Sequence, residues 1–496
     1  MIGFGGNGTH PCRGGAPIKI GDWKIRELGD AAEISAVVDG FRLWYQVPRS
    51  QAVSRSADPF VAAALLPAML QGERLEAAPG LTVSPLLLEN LGALQEIHHC
   101  WNPLFKVIPV EAAMSPAGPL GGGAMTFFSG GVDSTYTFLK RQEELTHLVF
   151  IQGFDFFWNA NGSGAFSADD IADLSLLAFR LTRPGNALSG YLRESLSKET
   201  LRALSDYRSS GTPSARLEVG LAREIEAIIA GPPVWEARRF AGIRLRPETK
   251  DLLKENPRGE GLYRLNRLLL EDAYPLEIAR RDDSIYRAAL ERNARFAQSH
   301  GKALIPVSTN HYAFGYRYNL SRNLTHGSAL ASIALLLGFP RAYVPAAYSY
   351  GQLVPLGSHP LTDPLWSTES VRIIHEGAEA RRFDKVAKIA GNGSALANLR
   401  VCFDDMNRNC GKCAKCLRTM IPLKLLGVSA APFPPLPPLR EIRKMRIEND
   451  IEMVFFKENF DPGSETADRA LFRALKACMG RYERLRLLRD FDKIIH

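Results

Sequence analysis

Residues 127–140, FFSGGVDSTYTFLK, place two glycines between a run of strand composition and a run of helical composition. Gly130 and Gly131 let the backbone turn sharply and approach an anion closely. The helix beyond them points its unpaired N–H groups and positive dipole end at the same place. Ser129, Ser134 and Thr135 add hydroxyl donors. A bare phosphate would repel Asp133, so that carboxylate is expected beside Mg2+ or at the helix N-cap. Residues 129–135, Val132 included, therefore form a candidate phosphate-binding turn. The bland alternative is a capped strand-to-helix turn with no ligand. The chain lacks G-x-x-x-x-G-K-[ST], which excludes a P-loop NTPase.

The same grammar recurs along the chain. AMTFF reads as a buried strand, DSTYTFLKRQEE as a helix and HLVFIQGF as a second strand. DSIYRAALERNARFAQSHG reads as a helix stopped by Gly301, KALIPVST as a strand, SALASIALLLG as an apolar helix and RAYVPAAY as a strand. Alternating strands and helices predict an α/β fold with a doubly wound parallel sheet, covered on both faces. More than a hundred residues separate the second strand from the next helix, far beyond an ordinary connection. They are mostly charged and helical in pattern, and a helical insertion is expected at about 159–280.

Before this part, WKIREL and FRLWYQVP have strand composition and DPFVAAALLPAML helical spacing. VSPLLLENLGALQEI reads as a helix begun by Ser84 and Pro85. SPAGPLGGG forms a boundary, so residues 1–115 are expected as a small α+β domain of unknown role. The α/β domain covers 124–427, APFPPLPP is a polyproline-like linker, and 438–496 is an amphipathic helical tail. With 496 residues there is room for these parts.

Seven cysteines occur, and four of them, Cys402, Cys410, Cys413 and Cys416, follow the spacing C-x7-C-x2-C-x2-C. MIGFGGNGTHPCRGG lacks the apolar core of a signal peptide, and no run of about 18 apolar residues could span a membrane. Clustered cysteines without an export signal point to metal rather than disulfides, and to a cytoplasmic location. Four thiolates close a tetrahedral Zn2+ site with no position left for water, so the zinc module at 402–416 is expected to be structural. The net charge of +8 permits nucleotide or nucleic-acid partners, but no long Lys/Arg block concentrates it.

FSGGVDST is similar to the PP-loop signature of the ATP pyrophosphatases. With the cysteine cluster near the end of the α/β part, the chain resembles the 7-cyano-7-deazaguanine synthase group of that superfamily. The resemblance spans roughly residues 124–427 and is specific at the loop and the cysteines. It implies ATP and Mg2+ as cofactors beside the zinc, cleavage between the α and β phosphates, and adenylation of a carboxylate. Ammonia then displaces AMP, and a second round turns the amide into a nitrile. On this resemblance Ser129, Asp133 and Ser134 are the catalytic residues. The loop residues Ser129, Gly130, Gly131, Val132, Asp133, Ser134 and Thr135 are expected to bind the nucleotide. Asp155, at the end of the second predicted strand, and His311 and Arg322, just beyond a later one, are further candidates by position, a hydrogen-bonded surface loop being the alternative for the last two.

The chain departs from the plain synthase in its N-terminal segment, insertion and tail, and it has no convincing motif for the deazaguanine base. The acceptor is therefore a small-molecule or macromolecular carboxylate, and the donor ammonia or an amine. Relatives act in antiviral defence and other modification pathways. RNA and a second copy of the chain are candidate partners, and a membrane is not. A tRNA-modifying enzyme is the first alternative, although thiolation is disfavoured because Cys12, Cys100 and Cys478 lie far apart in sequence. A non-catalytic nucleotide-binding component of a multiprotein system is the second.

Two further segments follow predicted strands, where open α/β sheets bind ligands. STNHYAFGYRYNLSRNLTHGS offers His311, Arg317, Arg322 and His326. GSHPLTDPLWSTES offers Ser358, His359 and Asp363, with Ser367 and Ser370 as caps of a following helix. His98 and His99 are isolated and expected to be structural.

Overall fold

The computed structural model describes residues 16–154, 197–198, 284–402, 408–460 and 468–495, apart from positions 117, 119, 317, 319, 321, 446, 448 and 449. The first elements are an antiparallel meander of β1 (Ile18–Leu28), β2 (Ala31–Val38) and β3 (Phe41–Pro48). Asp39 and Gly40 join β2 to β3 with φ of 49° and 72°, the left-handed pair that a two-residue hairpin turn needs. Helix α1 (Asp58–Gln71) is apolar on every side and correspondingly buried. After β4 (Leu75–Ala77) and β5 (Thr82–Val83) comes α2 (Pro85–Trp101). Ser84 caps α2 by accepting the Leu87 N–H at 3.0 Å, with Pro85 in the first turn, as the sequence predicts. Two short strands follow, β6 (Val110–Glu111) and β7 (Ala113–Met114).

The α/β part runs β8 (Ala124–Phe127), α3 (Val132–Arg141), β9 (His147–Gln152), α4 (Ser284–Ser299), β10 (Ala303–Thr309), α5 (His311–Tyr316), α6 (Arg322–Leu337), β11 (Arg341–Pro345), β12 (Arg372–Glu376) and α7 (Arg382–Ala390). Its five strands are parallel in the order β12-β11-β8-β9-β10. Strand order reverses between β8 and β11, which makes the carboxyl end of β8 a switch point, the usual ligand crevice of such sheets. The fold is thus α/β with a large, mostly parallel sheet.

That sheet continues into the N-terminal meander. β10 pairs antiparallel with β3, and beyond the ladder Asn310 extends the pairing, its Oδ1 accepting the Trp44 N–H at 2.9 Å and its amide donating to Arg42 O at 2.9 Å. All ten strands of the order β12-β11-β8-β9-β10-β3-β2-β1-β4-β6 form one sheet, and β5 and β7 pair in a second. Aromatic and aliphatic side chains of α3, α4 and α7 fill one face: Phe128 stacks on Phe296 with ring centroids 5.1 Å apart, and Phe138, Val386 and Ile389 are buried around them. On the α1 side, Ser332 of α6 donates to Pro59 O at 2.6 Å.

One sequence expectation is corrected here. No helix follows STES: residues 372–376 form the parallel edge strand β12, as their isoleucines favour. Glu369 instead serves α2, accepting from Ser84 Oγ at 2.7 Å and from the Leu86 N–H at 2.9 Å.

The C-terminal part holds α8 (Gly393–Asn398), α9 (Ala414–Leu425), α10 (Leu439–Lys444), α11 (Asp450–Lys457) and α12 (Arg469–Ile495). The tail helices bury Ile442, Phe456, Leu471 and Leu475 against Leu417 and Ile421 of α9. A second compact unit comprises Phe154–Ser284 and Tyr312–Ser321. Within it Phe154 stacks on Tyr312, with centroids 4.5 Å apart. The expected insertion at about 159–280 lies outside the described residues, save 197 and 198.

Candidate functional site

At the end of β8 the chain turns through Ser129, Gly130 and Gly131 into α3. Gly130 has φ of 78°, a left-handed conformation that side chains disfavour. A Cβ there would lie 3.0 Å from Asn293 Oδ1 and 3.5 Å from Asn398 Nδ2, a tight fit to which the Asn293 side chain would have to yield. Gly131 is the extended N-cap residue and no side chain caps the helix, leaving its first N–H groups without a side-chain acceptor. The hydroxyls brace the turn: Gly131 N–H donates to Ser129 Oγ at 3.3 Å, and Ser134 Oγ donates to Gly131 O at 3.1 Å. Val132 and Thr135 point inward; Thr135 is fully buried and its Oγ1 has no hydrogen-bond partner.

Asp133 does not cap α3. Its Oδ2 accepts from Arg382 Nη2 at 2.9 Å and its Oδ1 from Lys385 Nζ at 3.2 Å. Burial would raise the Asp133 carboxyl, but Arg382 and Lys385, with Arg418 further off, overcome that and hold it below the usual carboxylate range. Burial and the Arg382 charge push Lys385 down despite the Asp133 carboxylate beside it. Each Asp133 oxygen already has a cationic partner, and three cations act on one carboxylate. This setting repels a divalent metal and suits a polyanion, so the residues present do not fit a protein-held Mg2+ at Asp133.

On the other flank, Arg400 N–H donates to Gly130 O at 2.8 Å, and Arg400 Nη1 to Cys402 O at 2.7 Å. Arg292 on α4 precedes Asn293, whose side chain adjoins Gly130. Its buried Nε and Nη2 have no hydrogen-bond partner. Burial, with the Arg400 and Arg295 charges, pushes Arg292 down to about 10. Like charges brought together with unused donors lower their energy by sharing an anion.

The four cysteines converge. Their sulfurs lie within 4.8 Å of one another, with Cys402–Cys413 at 3.8 Å and Cys410–Cys416 at 3.9 Å. Tetrahedral Zn–S bonds of about 2.3 Å require sulfurs about 3.8 Å apart, so the set fits zinc. Backbone N–H groups of Cys413 and Cys416 point at the sulfurs of Cys410 and Cys413, at 3.3 and 3.4 Å. The Cys413 sulfur, then burial, push the Cys416 thiol up, and a bound cation would offset that cost of gathering four thiolates. Asn409 braces the cluster, accepting from the Val401 N–H at 2.9 Å and donating to Leu399 O and Pro432 O, each at 3.0 Å. The proline-rich segment thus packs on the cysteine module.

Other expected residues distribute differently. His311 is fully buried, its N–H donating to Thr309 Oγ1 at 3.1 Å, and burial with the His326 charge pushes it down to about 3. Asp155, Arg317 and the side chain of Arg322 lie outside the described residues. Ser358 Oγ donates to Asp363 Oδ2 at 2.8 Å, and His375, which the sequence did not single out, meets the same oxygen at 2.7 Å. His359 lies edge-on to Trp101, 5.0 Å between centroids. His98 is buried, as expected of a structural histidine.

Sequence reading missed Arg292, Asn293, Arg382, Lys385, Asn398, Arg400 and Arg418. A signal existed for two: RRFDK follows VRIIHE, and reading the latter as a strand would have placed Arg382 and Lys385 at the ligand edge. Among the described residues, no helix is long and apolar enough to cross a membrane. Compared with protein-family models, with curated proteins and with solved structures, the chain matches none.

Proposed function

We propose that this chain binds Mg·ATP at the turn after β8 and transfers adenylate to a carboxylate, which a nitrogen nucleophile then captures. The observation that carries the reading is the positive charge around an uncapped helix N-terminus. Arg292 brings unused buried donors and Arg400 holds Gly130 O, while Arg382 and Lys385 together exceed the charge of Asp133. The resemblance of FSGGVDST to the PP-loop and of the cysteine spacing to the 7-cyano-7-deazaguanine synthase group supports the same chemistry.

In this reading a carboxylate oxygen attacks the α-phosphorus. The bond from that phosphorus to the α,β-bridging oxygen breaks, and its electron pair leaves with pyrophosphate. The nitrogen nucleophile attacks the acyl carbon of the mixed anhydride, loses a proton, and AMP departs. The α3 N–H groups and the Ser129 and Ser134 hydroxyls bind phosphate oxygens. Arg382 and Lys385, oriented by Asp133, and Arg292 with Arg400 stabilise the charge gathering on the leaving group. Magnesium enters with the nucleotide as part of the substrate. The cysteine module holds zinc as a structural ion.

The test is product analysis from Mg·ATP labelled in parallel at the α- and at the γ-phosphate, wild type against Asp133→Ala. It is run with 7-carboxy-7-deazaguanine plus ammonia, then with metabolite and RNA fractions of a cell extract. The expected result is AMP and pyrophosphate in equal amounts from wild type, falling at least about 100-fold in the variant with its circular dichroism unchanged. ADP and phosphate as products, or full activity in Asp133→Ala, would contradict the reading.

A further inference from the structure

The C-terminal tail reaches the cations that hold Asp133. Phe455 of α11 is buried, and its ring carries two guanidinium groups: Arg418 with its carbon 4.6 Å from the centroid and Arg382 at 5.4 Å. Both lie within cation–π range. Tyr348, just beyond β11, stacks on the same ring with centroids 5.8 Å apart. Immediately after α11, buried Glu458 accepts the Phe383 N–H at 3.2 Å, in the first turn of α7, where a carboxylate complements the helix dipole. Its other oxygen accepts from Gln352 Nε2. Gln352 Oε1 in turn accepts the Ser349 N–H at 3.4 Å. One short piece of tail therefore clasps the segment after β11 and the helix after β12, on the β8 neighbour's side of the switch point.

We infer that the tail is a working part of the nucleotide site: Phe455 and Glu458 are positioning residues that hold Arg382 and Arg418 for the leaving pyrophosphate. This deepens the function proposed above and rests on it. Without the Phe455 ring, Arg382 keeps Asp133 but loses the surface that fixes its plane, and Arg418 loses its aromatic contact. Neither tail residue touches substrate. Their effect passes through the two arginines.

The test measures equilibrium binding of Mg·ATP to the full chain by titration calorimetry, for wild type, Phe455→Leu, Phe455→Tyr, Glu458→Gln, Arg418→Met and the Phe455→Leu/Arg418→Met double variant. Leucine keeps apolar bulk but has no π face, and tyrosine restores one. Phe455→Leu should weaken binding roughly 2- to 30-fold, the range of a cation–π contact. Phe455→Tyr should bind as wild type, and Arg418→Met should cost less in the Phe455→Leu background than alone. Glu458→Gln, which keeps its shape but removes the charge at the α7 N-terminus, should weaken binding and lower the thermal midpoint slightly. If Phe455→Leu and Glu458→Gln both bind as wild type, the inference is overturned while nucleotide binding stands. If tyrosine fails to rescue, or the two substitutions are additive, the ring acts as packing alone and the inference also falls. If wild type itself binds no nucleotide, the reading beneath it fails too.

Discussion

Asp133 illustrates how burial and charge divide the work at single residues. Its carboxyl is held ionised by Arg382 and Lys385, and in return it fixes two cations that would otherwise repel one another. His98 runs the other way. Burial among Trp101 and Phe105 keeps it neutral and pushes it down to about 4 from 6.5. A base lowered on folding adds stability that is complete above the unfolded pKa and is lost as pH falls from there toward the folded one. His98 should thus remove about 1.4 kcal/mol per pH unit between about pH 6.5 and 4. Asp58, raised to about 6 by burial, offsets part of this below pH 6 in both proteins. Comparing wild type with His98→Leu by chemical denaturation at several pH values isolates the histidine. The variant should have the shallower dependence by about one proton, and parallel dependences would contradict this assignment.

Among the elements, the cysteine module and the glycine turn are coupled through three residues of backbone. Arg400 N–H holds Gly130 O, and Cys402 O holds the Arg400 guanidinium. Metal removal should therefore be felt at the glycine turn. Wild type should contain one zinc per chain by elemental analysis, and Cys416→Ser should lose it. Hydrogen exchange should then quicken in residues 399–402 and at the start of α3 as well as in the cysteine loop. Full zinc content in Cys416→Ser, or protection unchanged outside 408–416, would break the coupling.

Strands and helices with long patterns were legible in the sequence. β8, β9, β10 and β11 follow from their apolar runs, and α4 and α6 end near the glycines that stop them, Gly301 at φ 64° and Gly338 at φ 64°. β2 went unread because AAEISAVV mixes helix and strand formers, and its burial comes from neighbours on both sides. β12 went unread because it is short, five residues, and the serines before it resemble helix caps, although Ile373 and Ile374 favour a strand. The turn and the cysteines were legible because their chemistry needs residues adjacent in sequence. The cations were not, since Arg382 and Arg418 meet on Phe455, and Arg292 and Arg400 approach one another, only in the folded chain.

At the scale of the whole molecule, one sheet carries the site and its supports. The meander of β1, β2 and β3 extends the sheet from β10, while the parallel strands β9 and β11 flank β8. The N-terminal segment, the cysteine module and the tail belong to the same compact unit as the glycine turn. On the function proposed above, these parts serve one role, a cationic crevice for a polyphosphate. The measurement that tests this most directly is Mg·ATP binding by the full chain at fixed ionic strength, wild type against Arg292→Met. The account predicts saturable one-to-one binding by wild type, weakened about 10- to 100-fold when the unused guanidinium donors are removed. Equal affinity in the two proteins, or no saturable binding by wild type, would contradict it.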